Sequence, residues 1–250
     1  MAIYLYGIIG RPTGKRSWGT GVGQPPSRLR LIPFENMAAV VSDLQEEETE
    51  SEGRALRRDL KAHEEVVRRV MEFGTVLPVS FGTAFEDDEQ LIEELLEPGC
   101  HELAGLLDSF EGLVELTLKA DFVEQEVIHR LLQRDAELRA WRDAASFAGT
   151  DEKIAFGQAL AEAIEDEGTR IAGRVLGRLE PLAKDVRFDG RPSGTGVLKA
   201  SFLVDARRLG EFDAAVEALA AESRGLFELD YLGPLPPYSF IKLNLGESVA

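Results

Sequence analysis

The stretch that shapes the first half of this chain reads VLPVSFGT, at residues 76–83. Its apolar and β-branched residues are typical of a strand, yet Pro78 and Gly82 lie inside it. Proline lacks the amide donor of a sheet ladder and belongs at an edge, a bulge or a strand start, whereas glycine in a strand marks a bulge or a close backbone approach. The stretch therefore predicts a shaped structural joint, with no group that could do chemistry.

A second stretch of the same character reads YLGPLPPYSF, at residues 231–240. Its proline-rich part at 234–237 has two interpretations. It could be a polyproline ligand for an aromatic groove, or it could bend the chain into a final edge strand with Tyr238 and Phe240 packed nearby. The apolar segments on both sides favour the bend, because recognition motifs usually lie in disordered polar tracts.

Length and charge exclude several classes of protein. A chain of 250 residues is long enough for two modest domains. Its net charge of −17 argues against nucleic-acid binding, which depends on neutralising phosphates, and against anionic membrane surfaces. No segment approaches the roughly 20 apolar residues of a membrane span. The single cysteine, Cys100, and the absence of a basic leader predict a cytoplasmic protein.

Hydrophobic periodicity predicts an α+β fold of two domains, 1–110 and 111–250. The first domain is predicted to hold strands at 3–9, 29–34 and 38–44 and helices at about 53–74 and 88–108. The second and third strands are predicted to form a hairpin around a Glu35-Asn36 turn, and Gly74 is predicted to end the first helix. The second domain is predicted to hold strands at 113–119, 186–188, 197–204, 226–232 and 238–245 and helices at about 121–143, 151–183 and 207–223.

The second domain thus has the β–α–β–β–α–β order of a ferredoxin-like domain, in which helices cover one face of an antiparallel sheet, with additional long helices. The first domain is predicted to be a modified version of that arrangement. The acidic run at 46–52 is predicted to be a solvated linker or the start of a helix.

Candidate reactive groups have weak support. Residues 10–17 resemble a phosphate-binding loop, but the glycine spacing is too short and the following glycines and prolines forbid a helix, so a connecting loop is the better interpretation. His63 lies on the helical stripe of Leu56, Leu60 and Val67, which predicts a packed, hydrogen-bonded histidine rather than a metal ligand. We expect no catalytic residue, no metal site and no cofactor.

Three segments resemble a known family. They are YLYG at residues 4–7, LPVSFGT at 77–83 after a histidine-bearing helix, and GPLPPYSF at 233–240. Their order and spacing are similar to those of the gas vesicle protein F/L family (GvpF/GvpL) over nearly the full chain. This chain has Ser80 and Leu235 where that family commonly has a basic residue and a tryptophan, which leaves the F or L subfamily open.

The resemblance implies a non-enzymatic accessory protein of gas vesicle formation that engages the small, hydrophobic shell protein (GvpA-type) and possible further vesicle components. A soluble acidic protein with shaped apolar segments could hold such a subunit by strand addition or by apolar contact. The alternative is a small-molecule-sensing module with the glycine-rich loops 10–28 and 189–196 as lids. The candidate partner interface comprises eight residues: Leu77, Pro78, Phe81, Gly233, Pro234, Pro237, Tyr238 and Phe240.

Overall fold

The computed structural model of the protein has an α+β fold with two sheets, which confirms the predicted class. It describes residues 1–11, 18–44, 52–146, 149–188, 194–223 and 225–241. The predicted acidic linker, apart from Glu52, lies outside the described residues, as do residues 12–17 and 189–193 of the two predicted lids. Packing divides the chain into a first unit, which contains Met1–Glu115 and the segment that begins at Pro234, and a second unit, Leu116–Gly233.

The first unit is built on a sheet of order β2-β3-β1-β4, with β5 also paired to β1. The elements of this unit are β1 Ile3–Gly10, β2 Leu29–Phe34, β3 Met37–Asp43, α1 Glu52–Met71, β4 Val76–Pro78, β5 Ala84–Phe85, α2 Asp88–Leu91 and α3 Glu97–Ser109, with a π-helical turn Ile92–Leu96 between the last two. The predicted hairpin of β2 and β3 is confirmed, and its turn residue Glu35 has a φ of 49°.

Strand β1 is buried on both faces, so the first sheet departs from the one-sided arrangement expected. Ile3 and Leu5 pack with α3, whereas Tyr4 and Tyr6 pack with α1 on the opposite face. A register shift between Leu5 and Gly7 reverses this alternation further along the strand. Such a bulge re-aims side chains without ending the strand, so both faces of β1 remain apolar to its end.

The stretch 76–83 forms the predicted joint. Strand β4 ends at Pro78, and the chain leaves the sheet before it returns to β1 as β5. Gly82, in the turn between them, has a φ of 92°, a conformation that side-chain-bearing residues rarely adopt. Two backbone hydrogen bonds hold the joint to β1: Val79 N–H donates to the Tyr6 carbonyl at 3.3 Å, and Leu5 N–H donates to the Thr83 carbonyl at 3.0 Å.

The second unit has the sheet order β7-β8-β6-β9, in which β7 and β8 are antiparallel. Its helices and strands follow one another as a ferredoxin-like domain with extra helices before the second strand, as predicted. They are β6 Leu113–Phe122, α4 Glu124–Arg134, α5 Ala136–Ser146, α6 Thr150–Leu179, β7 Asp185–Phe188, β8 Gly196–Asp205, α7 Leu209–Ser223 and β9 Phe227–Leu235.

Two sequence predictions for this half were wrong. The helix predicted at 121–143 is two helices, because Asp135 ends α4 and its carboxylate accepts the amides of Glu137 and Leu138 at the start of α5, both at 2.9 Å. The final strand predicted at 238–245 is a turn at 238–240 followed by Ile241, and its remainder lies outside the described residues. Pro236 and Pro237, which have no amide donor, precede that turn.

Four of the five edge strands carry a group that hinders further pairing. Proline occurs in three edge strands, as Pro33 in β2, Pro78 in β4 and Pro234 in β9. In β7 the Asp185 carboxylate accepts the amide of Val186 at 2.9 Å, whereas the two-residue strand β5 has no such group. A missing or already occupied donor makes an edge a poor template for another strand.

The segment that begins at Pro234 packs with the first unit, whereas the sequence assigned it to the domain 111–250. The sequence holds no long linker before it, so its return was not visible there. The division into domains 1–110 and 111–250 stays a prediction.

Candidate functional site

Five side chains from distant parts of the sequence form one cluster in the first unit, which we call the His63 cluster: Tyr4, Tyr6, His63, Phe81 and Tyr238. The His63 ring stacks on Tyr6 with 5.6 Å between centroids, and the Phe81 ring meets it edge-on at 5.9 Å. The Tyr238 hydroxyl lies 3.3 Å from Nε2 of His63. Both proline-shaped stretches therefore meet at a single histidine.

Helix α1 places His63 against the sheet because Val66, Val67 and Val70 bury the same side of the helix. The ring is fully enclosed, which confirms the predicted packed and hydrogen-bonded histidine. Burial lowers the pKa of His63 to about 4, against which a hydrogen bond with the backbone of Val79 acts weakly. The imidazole is therefore neutral at pH 7, with one donor and one acceptor nitrogen.

The Tyr4 hydroxyl links the joint to this ring. It accepts the amide of Gly82 at 2.9 Å and lies 3.0 Å from Nδ1 of His63. Burial raises the pKa of Tyr4, so its hydroxyl stays protonated. With Tyr238 on Nε2 and Tyr4 on Nδ1, both ring nitrogens have partners, and the histidine acts as a bridge between the two stretches.

The chain end is also held by Glu115, which is only 3% exposed. Its Oε2 accepts the backbone amide of Ser239 at 2.8 Å, and its Oε1 accepts the Ser239 hydroxyl at 2.6 Å. Ile241 packs in the apolar core on the α3 side of the first sheet. Three separate contacts thus anchor the segment after the prolines to the first unit.

The eight candidate interface residues differ in how far they reach solvent. Three of them are buried: Leu77, Pro78 and Pro237. Phe81 and Phe240 are half-buried, and three are exposed: Gly233, Pro234 and Tyr238. Phe81 and Tyr238 both contact His63. Leu77, Pro78 and Pro237 are buried parts of the same two stretches.

Exposed apolar side chains continue from the His63 cluster along α1. The helical stripe predicted from the sequence is buried at Val67 but open at Leu60 and Leu56, which are 41% and 57% exposed. Burial and then the charge of Glu64 raise the pKa of Tyr238, so Glu64 lies near that side chain. Leu60 lies one helical turn before Glu64, and Leu56 lies one turn before Leu60. Tyr238 is itself 38% exposed, and we call the three exposed residues Leu56, Leu60 and Tyr238 the α1 surface.

Two cavities border the glycine-rich loops. A cavity of about 350 Å³ in the first unit is lined by residues that include Gly10, Arg11 and Trp18. A smaller cavity of about 210 Å³ in the second unit is lined by Gly194 and Gly196 among others. Neither cavity contains the His63 cluster.

The described residues offer neither a metal centre nor a membrane span. No group of three or more histidine, cysteine or acidic side chains there is placed to hold a metal ion. Among the described helices, none combines the length and the apolar character that crossing a membrane requires.

Sequence reasoning missed part of the site. It named Phe81 and Tyr238 but gave no role to Tyr4, Tyr6 or Glu115. The alternation of two tyrosines with apolar residues in β1 was the available signal for the tyrosines, since polar tips on a buried strand need partners. No local pattern pointed to Glu115, whose partner Ser239 is 124 residues away.

Comparison with known proteins identifies the family. A sequence model of the family "Gas vesicle synthesis protein GvpL/GvpF" matches residues 2–242. Gas vesicle protein F of Streptomyces sp. is 35% identical over 247 residues, which are 97% of this chain and the full length of the relative. Gas vesicle protein F of Microcystis aeruginosa is 25% identical over 247 residues, with 97% and 99% of the two chains covered.

Solved structures show the same fold. The crystal structure of GvpF from Anabaena sp. PCC7120 has a TM-score of 0.81 at 23% identity, with 96% of this chain and 97% of that chain covered. GvpF from Microcystis aeruginosa has a TM-score of 0.75 at 24% identity, covering 96% and 98%. Since the family match spans nearly the whole sequence, this chain belongs to the GvpL/GvpF family of gas vesicle synthesis proteins.

Proposed function

We propose that this protein is a non-enzymatic, cytoplasmic assembly factor that binds the hydrophobic gas vesicle shell protein (GvpA-type) during nucleation or growth of the vesicle. Family membership supports a role in gas vesicle formation. The observation that carries the binding role is the α1 surface, where Leu56, Leu60 and Tyr238 are exposed next to the enclosed His63 cluster. Exposed apolar groups that lie together are typical of protein contacts.

The contact is made by side chains rather than by strand addition. Proline in β2, β4 and β9 and the Asp185 bond in β7 leave the sheet edges ill-suited to receive another strand. The α1 surface needs no free backbone donor, because a helical stripe offers apolar groups at every turn. An apolar segment of the shell protein is therefore expected to lie along α1.

The His63 cluster gives this surface a fixed shape. Tyr238 is held by His63, and the turn after it is held by Glu115, so the tyrosine ring is ordered before a partner arrives. Pre-ordered side chains lose less conformational entropy on binding, by about 0.5–1.5 kcal/mol for each group. The buried candidates Leu77, Pro78 and Pro237 contribute by holding Phe81 and Tyr238 in place.

The acidic composition suits the same role. A net charge of −17 keeps the free protein soluble and repels other copies of it. An apolar subunit bound to such a protein is kept from uncontrolled association, because the complex carries the negative charge of this protein and repels other complexes.

Gly233 and Pro234 are both exposed. They remain candidate contacts with the shell protein because they belong to the proline-rich stretch at 231–240.

Co-purification with the shell protein tests the proposal. Leu60→Glu places a charge on the α1 surface without touching the core, and Leu56→Glu does the same one turn away. We expect each substitution to reduce the recovered shell protein at least about tenfold, as loss of a central apolar contact does. Unaltered circular dichroism and unfolding would show that the variants fold.

Ile154→Glu is the matched control, since Ile154 on α6 is 55% exposed and belongs to the second unit. It should retain wild-type recovery of the shell protein. Equal recovery with Leu56→Glu, Leu60→Glu and wild type would remove the α1 surface from the contact. Failure of the wild-type protein itself to retain the shell protein would contradict the binding role.

The alternative, a small-molecule-sensing module, is favoured by one observation: both cavities border the glycine-rich loops that the sequence marked as lids. A thermal shift screen with nucleotides and amino acids separates the two functions. A ligand that binds the folded state raises the melting temperature with its concentration, whereas an assembly factor without such a ligand shows no shift.

A further inference from the structure

The part of α1 that carries Leu56 and Leu60 is bordered along one side by basic residues. Positions 53–61 hold four basic residues against one acidic residue, in a chain whose net charge is −17. Arg57 and Lys61 each follow one of the two leucines directly, which places them about 100° further around the helix axis. The overall charge of the protein is thus reversed locally, next to exposed apolar side chains.

Arg54, Arg57 and Lys61 form a row on this side of the helix, which we call the cationic edge. They recur at positions i, i+3 and i+7, so they lie on one face of α1. All three are exposed, as are Leu56 and Leu60. The cationic edge therefore runs beside the exposed leucines over the same length of helix.

The described residues leave the charges of the cationic edge largely uncompensated. Nε of Arg57 donates to the carbonyl of Gly53 in the same helix at 3.0 Å, which does not neutralise the guanidinium. Lys61 lies 3.8 Å from a Glu65 carboxylate oxygen, in a pair whose side chains are 76% and 55% exposed. Such an exposed pair is weak and readily exchanged. Over the ranges that the structure describes, no ion pair joins Arg54 to an acidic side chain.

Other charges near the cationic edge are engaged elsewhere or lie beyond it. Arg58 and Asp59, the remaining charged residues of positions 53–61, pair with each other, with Nε 3.0 Å from Oδ1. Glu64 comes one turn later, where the neighbouring His63 is already enclosed. The acidic run at 46–52 precedes the helix in the sequence and is the competing occupant of the cationic edge.

We propose that α1 receives an acidic amphipathic helix of the shell protein, whose apolar side covers the α1 surface while its carboxylates meet the cationic edge. This contact rests on the proposed function and names the chemistry of the bound segment. Apolar groups and charges follow the same helical spacing on α1, so a helix laid along it presents both at matching intervals. The chain as a whole repels an acidic partner, so the cationic edge fixes where and in which register the segment binds.

Co-purification with the shell protein at two salt concentrations tests the cationic edge. Arg57→Glu/Lys61→Glu reverses it, and Lys153→Glu/Arg174→Glu makes the same charge change at exposed positions of α6 in the second unit. At about 0.1 M NaCl, where charges act over about 10 Å, we expect the first variant to recover about tenfold less shell protein than the second. At about 1 M NaCl, where that distance falls to about 3 Å, the two recoveries should converge. Unaltered circular dichroism would show that both variants fold.

The outcomes separate the charge contact from the binding role itself. Equal or higher recovery with the reversed edge at low salt would overturn this inference and leave the proposed function standing. The partner would then carry no matching carboxylates, or the acidic run at 46–52 would already hold the cationic edge. Failure of the wild type and of both variants to retain the shell protein would instead contradict the proposed function.

A second measurement needs no shell protein. Two peptides of about 15 residues, long enough to form a helix, carry leucine at helical spacing and either glutamate or lysine along one edge. In nuclear magnetic resonance of the full chain, the glutamate peptide should shift the Leu56 and Leu60 methyl signals saturably, and the lysine peptide should bind at least about tenfold more weakly. Equal affinities, or no shift up to roughly 10 mM glutamate peptide, would overturn the inference.

Discussion

The hydroxyl of Tyr238 lies 3.3 Å from Nε2 of His63, although 175 positions separate the two residues in the sequence. The other ring nitrogen of His63 faces Tyr4, whose hydroxyl accepts the amide of Gly82. One imidazole therefore joins the first strand, the joint after β4 and the end of the described chain. These are the three segments by which the sequence resembles its family.

Acid should weaken the folded state through His63. Its pKa is about 4 in the folded chain and about 6.5 when exposed, so the unfolded chain binds more protons between these values. The contribution of the neutral His63 side chain to the free energy of unfolding is fully present above pH 6.5 and is lost as the pH falls toward 4. Its total is on the order of 3 kcal/mol. Urea unfolding of wild type and His63→Phe across this range measures it.

The quantity to compare is the difference in unfolding free energy between the two proteins, because the 45 acidic residues also titrate in this range and do so in both. We expect wild type to lose its advantage as the solution is acidified. A difference that stays constant from about pH 7 to pH 4 would show that the pKa of His63 is not lowered in the folded state.

Gly7→Ala should destabilise the first unit. A Cβ at this position would lie 2.7 Å from the Leu77 carbonyl oxygen and 3.0 Å from a Val76 methyl carbon, so β1 and β4 would have to separate. Overpacking of this kind costs about 1–3 kcal/mol. Gly10→Ala in the same strand meets nothing within 4 Å and is the control for urea unfolding. Equal stability of the two variants would contradict the close approach.

Ser239→Ala should loosen the chain end. It removes the hydroxyl that donates to Oε1 of Glu115 at 2.6 Å. This carboxylate is buried, so water cannot readily replace the lost donor. Loss of a hydrogen bond to such a group costs about 1.5–3 kcal/mol. Faster hydrogen exchange of the Ser239 amide, with Ser109→Ala on the exposed end of α3 as control, would report it. Unchanged exchange would show that the hydroxyl bond to Glu115 is not needed, and that the other contacts, with His63 and the core, suffice to hold the segment.

Asp135→Ala should weaken the start of α5. The carboxylate accepts two amides at 2.9 Å, and removal of such a cap costs about 0.5–2 kcal/mol. Asp143→Ala later in the same helix removes only an exposed pair with Arg142 and serves as the comparison in thermal unfolding. A melting temperature that falls equally for both would show that general charge, and not the cap, is responsible.

Local signals in the sequence were enough for much of the fold. Gly74 was predicted to end α1; the helix ends at Met71 and the glycine has a φ of 150°. The hairpin around Glu35 and the joint at Pro78 followed from turn chemistry and from the missing proline donor in the same way. These features depend on a few neighbouring residues, so a single sequence contains them.

Features that depend on distant partners were out of reach. Leu56, Leu60 and Phe73 belong to the same apolar periodicity as Val67, yet the first three are exposed, because periodicity gives the face of a helix and not how far the neighbouring sheet extends. The turn at Tyr238 was predicted as a strand, since its apolar residues serve a contact with His63 rather than a ladder. Asp135 was the exception: its cap was visible in the sequence and was overlooked.

The prolines in β2, β4 and β9, with Asp185 in β7, have a consequence for how copies of this protein behave at high concentration. A strand whose amide donor is missing or already used is a poor template for a strand of another molecule. Edge-to-edge association of one copy with another is therefore disfavoured at these four strands.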